Sequence, residues 1–282
     1  MNNFNYDTTN IFGKDFIWGD KTYIMGVINV TPDSFSGDGI GDDINLAIEK
    51  ALSFEKCGVD IIDIGGESTR PASVYKGVKP VSEKTEIDRV IPVISELRKK
   101  INIPISIDTY KPRVALKAIE AGANMVNDIS GFRHDPEMIK IIAETGLPVI
   151  LMHNQQDYIY NDLIGDINEY FINVINLAIS YGIKKENIII DPGIGFGKNT
   201  MQNLEIYRNL DKFKLLDHPV LVGMSRKASI GEVLNLPIHD RIEGTSAVAA
   251  LCISKKVDII RVHDVCEIAK VAKMSDAIVR GW

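Results

Sequence analysis

Cysteine is scarce in this chain of 282 residues, with only Cys57, Cys252 and Cys266 and no CxxC pair. An odd number at wide spacing argues against a disulfide framework, and all three are expected as buried thiols in a reducing cytoplasm. The histidines at 134, 153, 218, 239 and 263 include no HExxH or similar spacing, so a zinc site is not expected. A surplus of positive charge is also lacking. The net charge is −6 and the isoelectric point about 5.5, which leaves no basic surface to neutralise a nucleic-acid backbone. No apolar run approaches the ~20 residues that span a bilayer. The start, Met1-Asn-Asn-Phe-Asn-Tyr-Asp7, has neither the basic residues nor the apolar stretch of a signal peptide, so a cytoplasmic location is expected.

What is present is ordinary in amount: 45% hydrophobic and 25% charged residues, enough for a full core. The order is more informative. Eight short runs rich in Ile and Val alternate with stretches of helical period. The strands predicted are Tyr23–Asn29, Val59–Ile64, Ile103–Asp108, Met125–Ile129, Pro148–His153, Ile188–Asp191, Pro219–Met224 and Asp258–His263. Between and after them the period predicts helices over Asn45–Lys56, Glu83–Lys100, Pro112–Ala121, Pro136–Glu144, Ile167–Tyr181, Leu204–Leu210, Arg241–Ser254 and Cys266–Val279.

Unbroken apolar strands such as Ile188-Ile-Ile190 belong to parallel sheets covered on both faces. Eight βα units over residues 23–282 have the size of one α/β domain, a single (β/α)8 TIM barrel. A doubly wound open sheet is the alternative, but it usually has fewer strands and a Gly-rich first turn, where this chain has Thr31-Pro-Asp-Ser34. Residues 1–22 read as an extension carrying a short β-hairpin. Phe16-Ile-Trp18 and Lys21-Thr-Tyr23 flank a two-residue Gly19-Asp20 turn, and the hairpin is expected to plug the amino-terminal mouth of the barrel.

The carboxyl ends of the strands carry the chemistry, because ligands sit there in such folds. In order they hold Asn29, Gly65-Gly-Glu-Ser-Thr-Arg70, Asp108-Thr109, Asn127-Asp128, Met152-His153, Asp191-Pro-Gly-Ile-Gly-Phe-Gly197, Gly223-Met-Ser-Arg-Lys227 and Arg261-Val-His263. Any one of these could be a helix cap. Eight converging on one mouth, with Asp108, Asn127 and Asp191 at similar depth, form a buried polar cluster that must be satisfied. Lys227, or a ligand with several N–H donors, would do so. Asp and Asn acceptors suit the edge of an amino-pyrimidinone, and Lys227 supplies a donor for its ring carbonyl. Arg261 and His263, two apart on one strand, face the same way. With Arg70 and Asn29 they suit a metal-assisted diphosphate site. The turn at Ser225, leading into a helix, offers a free hydroxyl to a carboxylate. Asp191-Pro-Gly-Ile-Gly-Phe-Gly-Lys198 satisfies neither GxxxxGK nor GxGxxG; its glycines are read as permitting positive φ and close backbone approach to a ligand. Lys227 follows Ser-Arg in a turn rather than sitting within a strand, which disfavours a Schiff-base aldolase.

Taken together these motifs resemble the dihydropteroate synthase family. Met25-Gly-Val-Ile-Asn-Val-Thr-Pro-Asp-Ser-Phe-Ser36 and Gly65-Gly-Glu-Ser-Thr-Arg-Pro71 are similar to its first two loops, and the later strand ends to its remaining motifs. The resemblance runs from about Phe16 to the C-terminus. It implies an enzyme of folate biosynthesis that joins 7,8-dihydropterin-6-ylmethyl diphosphate to 4-aminobenzoate and releases pyrophosphate with Mg²⁺, the reaction sulfonamides target. By the family's pattern Asp108, Asn127, Asp191 and Lys227 hold the pterin, with Met152 lining its pocket. Asn29, Arg70, Arg261 and His263 hold pyrophosphate, and Asn29 also touches the metal. Thr69, Pro71, Phe196, Ser225 and Phe35 shape the aminobenzoate site. Catalysis would rest on Asp108, Lys227, Arg70 and Asn29. A homodimer through the late helices is implied as well.

The chain departs from the family's pattern in four places. The acid after Phe35 comes one residue late in Ser36-Gly37-Asp38-Gly39; Ala72-Ser73 stands where a Gly is usual after Pro71; Asn154-Gln155-Gln156 follows His153; and Lys256 replaces a usual Gly or Ala before the last strand. The competing readings are a methyltetrahydrofolate-dependent methyltransferase domain and a non-catalytic pterin-binding paralogue. A methyltransferase would not need Thr69-Arg70, Ser225-Arg-Lys227 and Arg261-Val-His263; a degenerate paralogue would not need intact first loops.

Overall fold

The computed structural model describes residues 8–31, 44–68 and 80–281. Phe35, Thr69, Arg70, Pro71 and the motif departures at 36–39 and 72–73 lie outside the described residues.

In chain order the strands are β1 (Thr9–Ile11), β2 (Lys14–Phe16), β3 (Tyr23–Asn29), β4 (Ile61–Gly65), β5 (Ile105–Asp108), β6 (Met125–Asp128), β7 (Val149–Met152), β8 (Ile188–Asp191), β9 (Leu221–Val222) and β10 (Ile259–Val262). The helices are α1 (Ile44–Lys56), α2 (Glu83–Arg98), α3 (Pro112–Ala121), α4 (Glu137–Thr145), α5 (Leu163–Ser180), α6 (Thr200–Arg208), α7 (Leu210–Phe213), α8 (Ala228–Leu234), α9 (Ile242–Ser254) and α10 (Val265–Val279).

Strands β3 to β10 form one parallel sheet, ordered β8-β7-β6-β5-β4-β3-β10-β9. A parallel bridge between Ile190 and Val220 joins its two ends, which closes the barrel. The eight βα units predicted from the sequence are these. Strand β9 is shorter than expected. Helix α5 begins at Leu163 rather than Ile167, and α6 begins at Thr200 because Asn199 and Gln202 cap it reciprocally.

The hairpin is present but one turn earlier than expected. β1 and β2 pair antiparallel around Phe12-Gly13, while Trp18 and Lys21 make only an isolated bridge. Its plugging role holds. Ile11, Phe16 and Trp18 pack in one buried cluster with Met25, Ile61, Met125, Ile150, Ile189, Leu221 and Ile259, the inward residues low in the barrel. Helices cover the outside through a second, larger apolar layer that includes Phe54, Ile94, Phe171 and Phe213.

The reading of three buried thiols is overturned in two of the three. Cys57 and Cys266 are bonded as a disulfide, their Cα atoms 5.0 Å apart, and only Cys252 is a buried free thiol. The cause is topological. β3 lies between β4 and β10, so the end of α1 and the start of α10 meet although 209 residues separate the two cysteines.

Lys256, where the family usually has Gly or Ala, sits at φ 60° just beyond α9. The Val257 amide reaches back to the Cys252 carbonyl across this left-handed turn, the geometry that favours glycine.

Candidate active site

Register places the polar residues. Asn29, Gly65, Asp108 and Asn127 are paired in sequence across β3, β4, β5 and β6, so they form one layer at the carboxyl end of the barrel. Asp191 closes β8 beside Met152 of β7. Asp63, one layer below, lies beside Val27 and Ser106. Arg261 pairs with Met25 one layer lower again, and its long side chain rises to Asp63 and Asp108. A cavity of about 270 Å³ opens above them, and its walls include Asn29, Thr31, Asp108, Phe196, Ser225, Lys227, Arg261 and His263. Asn127, Asp191 and Met152 are buried beside it rather than forming its wall.

The acid cluster is satisfied differently from the expectation. Arg261, not Lys227, bridges the carboxylates: its Nε donates to Asp63 Oδ2 and its Nη2 to Asp108 Oδ2, each at 2.6 Å. Planar guanidinium geometry serves two acceptors at once, which a lysine cannot do in a fixed fork. Asn127 Nδ2 also donates to Asp63 Oδ2, at 3.2 Å. Burial pushes the Asp108 carboxyl up to about 7; Arg261 pulls it down, while Asp63, Glu86 and Asp128 oppose ionisation. Burial works against the Arg261 cation, but Asp63, Asp108 and Asp191 outweigh it and raise its pKa. One oxygen of each of Asp63 and Asp108 is buried without a hydrogen-bond partner among the described residues.

Lys227 Nζ donates to the Ile194 carbonyl at 2.7 Å and stands 4.8 Å over the Phe196 ring. Asp191 Oδ1 accepts from the Gly193 amide at 2.8 Å, and burial raises this carboxyl above its usual range despite that bond and the nearby Lys227 and Arg261 cations. The Ser225 hydroxyl oxygen is held by His263. This Oγ accepts from the His263 amide at 3.2 Å and lies 3.1 Å from His263 Nδ1, and α8 starts only at Ala228, capped by Lys227.

In the glycine loop 191–198, Gly195 borders the cavity, whereas Gly193 and Gly197 pack on protein. Gly193 and Gly197 have φ 71° and 61°, and a Cβ on them would meet the His153 and Gln155 carbonyl oxygens at 1.9 and 2.3 Å. Lys198 ties this loop together. Its buried ammonium contacts the carbonyls of His153, Gly193 and Phe196 at 3.3, 3.1 and 2.8 Å and His153 Nδ1 at 3.0 Å. Burial lowers the Lys198 pKa to about 7; in its protonated form the group only donates, so that ring nitrogen accepts. Burial, with the Lys198 and Arg133 charges, drops the His153 pKa to about 3.

Beyond the end of β4, Lys111 Nζ bonds the carboxylates of Glu67 and Glu86 and the Val81 carbonyl, and the Tyr110 hydroxyl donates to Glu67. Reading the strand ends missed this clamp, and it missed Asp63. The signal for Asp63 was there: it is the one charge inside the apolar strand Ile61-Ile-Asp-Ile-Gly65.

A closed parallel barrel whose floor offers acceptors and whose wall carries Lys227, Arg261 and His263 has the form of a pterin-binding enzyme, and the sequence profile of that family, the pterin binding enzymes, matches residues 25–263. The chain is 50% identical over 271 residues to the dihydropteroate synthase of Clostridium beijerinckii, covering 96% of this chain and 99% of that one. A crystal structure of dihydropteroate synthase from Clostridium difficile in the presence of pteroic acid superposes with a TM-score of 0.88 at 47% identity, over 94% and 99% of the two chains. That of Xanthomonas albilineans with 4-aminobenzoic acid gives 0.89 at 36%, over 97% and 98%. The chain belongs to the dihydropteroate synthase family of transferases.

Proposed function

We propose that this mouth condenses 7,8-dihydropterin-6-ylmethyl diphosphate with 4-aminobenzoate, giving 7,8-dihydropteroate and pyrophosphate. The observation that carries the residue roles is the bridge from Arg261 to Asp108 and Asp63 in the same cavity that Lys227, Ser225 and His263 line. Asp191 and Asn127 accept from the side-by-side N–H groups of the pterin, Lys227 donates to its ring carbonyl, and Met152 packs beside it. The C–O bond to the diphosphate breaks with its electron pair leaving on the diphosphate. Asp108 stabilises the positive charge spread over the pterin and its exocyclic carbon, while Arg261 and His263 hold the leaving group. The arylamine lone pair then forms the C–N bond. Its proton is lost to solvent or diphosphate, so no strong base is required. Phe196 and Ser225 border the aminobenzoate. Thr69, Arg70, Pro71 and Phe35 keep the roles the resemblance implies, outside the described residues.

Mg²⁺ fits here as a hard cation that takes one protein oxygen and completes its shell with water and phosphate oxygens. The Asn29 carboxamide oxygen would hold it. A Cβ on Gly65 would come within 3.7 Å of that oxygen and 3.6 Å of the Asp108 Cβ, so glycine keeps the space between them open. The ion would neutralise charge on the departing diphosphate.

A homodimer through α9 and α10 belongs to this reading, supported by Leu251, Met274 and Ile278, exposed by 62%, 62% and 73%. So does a cytoplasmic location. Among the described residues no helix is long and apolar enough to cross a membrane. The Cys57–Cys266 bond is the observation against that location, because cytosolic thiols are kept reduced.

Pyrophosphate release by the purified chain tests the proposal. Release that depends on 4-aminobenzoate is expected; a chain that binds the pterin but releases nothing would be a non-catalytic paralogue.

A further inference from the structure

Asp63 is fully buried, yet two residues assigned to different halves of one substrate converge on one of its oxygens: Arg261 Nε at 2.6 Å and Asn127 Nδ2 at 3.2 Å. It lies one layer below Asp108 and Asn127, which stand between it and the cavity. We propose that Asp63 is a positioning residue, fixing the guanidinium of Arg261 for the diphosphate and the carboxamide of Asn127 for the pterin. This rests on the roles given above to Arg261 and Asn127.

The argument is one of donors and acceptors. An ionised carboxylate only accepts, so it can meet the amide of Asn127 only at the NH₂ end. The carboxamide oxygen is left as the group offered to a ligand, which makes Asn127 an acceptor beside Asp191. Without Asp63 the amide would be free to turn over and present donors to the pterin's own donors. The second half concerns Arg261. Nε, the nitrogen nearest the stem, is tied to Asp63, whereas the terminal Nη2 is tied to Asp108. A guanidinium held at Nε keeps its plane and depth while its outer nitrogens exchange Asp108 for an arriving diphosphate. Asp108 is thereby released to face the pterin at the moment the leaving group binds. Asp63 thus serves the ring half and the anion half of one substrate from a single buried oxygen, and has no such link to the aminobenzoate side.

The test is Asp63→Leu, near in volume and without an acceptor, beside Asn127→Ala and Arg261→Met as references. Calorimetry with 6-hydroxymethyl-7,8-dihydropterin, which lacks the diphosphate, reads the ring half; inorganic pyrophosphate with Mg²⁺ reads the anion half. The KM for 4-aminobenzoate serves as the internal control. Asp63→Leu is expected to weaken both ligands at least tenfold while changing the aminobenzoate KM less than twofold. A merely structural role would move all three together or none, and either result overturns the proposal. If the single variant does not fold, Asp63→Leu/Arg261→Met removes the Asp63 and Arg261 charges together and is compared with Arg261→Met alone, Asp108 being present in both. The double must bind the pterin at least fivefold more weakly and pyrophosphate equally; equal pterin affinity overturns the proposal. If Arg261→Met and Asn127→Ala themselves leave binding unchanged, the assignment of those two residues fails, and the positioning role falls with it.

Discussion

Arg261 Nη2 and Asp108 Oδ2 meet at 2.6 Å across the barrel, joining β10 to β5 although they stand 153 positions apart in the chain. With the second bond, to Asp63, one guanidinium offsets two carboxylates that are 0% and 5% exposed. The leaving-group arginine is therefore also part of what holds the floor of the barrel together.

Arg261→Met should then cost stability as well as turnover. Breaking a buried ion pair from one side costs about 3–5 kcal/mol, because the partner is left charged and unpaired. The urea midpoint at pH 7.5 should fall accordingly, and should fall less at pH 5, where the Asp108 carboxyl, raised to about 7, is protonated. An unchanged midpoint at pH 7.5 would show that Asp63 and Asp108 find other partners.

His153 makes stability depend on pH. Its folded pKa is about 3 against an ordinary 6.5, so between these values the unfolded chain binds a proton that the folded chain refuses. The contribution is full above pH 6.5 and is lost as pH falls from 6.5 towards 3. His153→Gln should flatten the acid side of the stability curve. Denaturant midpoints at pH 7.5, 6, 5 and 4 that drop equally in both proteins would contradict this.

Lys256 should be replaceable with profit. A side chain in the left-handed region costs roughly 1–2 kcal/mol, part of which glycine gives back as extra freedom in the unfolded chain. Lys256→Gly should raise stability by about 0.5–1 kcal/mol with unchanged turnover. A lower melting temperature would mean that the lysine makes up for its strained backbone elsewhere.

The disulfide can be counted. Thiol titration of the denatured, unreduced chain should find one thiol, from Cys252, and three after reduction. Cys57→Ser should lower stability by about 2–4 kcal/mol under oxidising conditions and have little effect in reductant. Three titratable thiols without reductant would restore the reading of free cysteines.

Much of the barrel could be read from the chain because a strand covered on both faces must be apolar throughout, and Ile188-Ile-Ile190 has no other comfortable place. The strand ends were readable for the converse reason: Asn29, Asp108, Asn127 and Asp191 are polar residues at the ends of buried runs. What could not be read is reach. Pattern shows that Arg261 faces inward, but not that its side chain finds Asp63 and Asp108 before Lys227 does. Ser225 lies on the cavity wall, and its hydroxyl oxygen accepts from the amide of His263, a partner 38 positions away that the pattern does not show. The hairpin was placed one turn late because Gly19-Asp20 and Phe12-Gly13 are both plausible turns, and only the packing of Ile11 and Phe16 under the barrel chooses between them.

Product formation tests the central claim most directly. Purified protein given the dihydropterin diphosphate, 4-aminobenzoate and Mg²⁺ should form 7,8-dihydropteroate, detected by chromatography and mass, with one pyrophosphate for each molecule. Lys227→Met, folded as judged by circular dichroism, should reduce that yield at least a hundredfold. Pyrophosphate without dihydropteroate, or equal product from Lys227→Met, would contradict the account of this cavity as the site of the condensation.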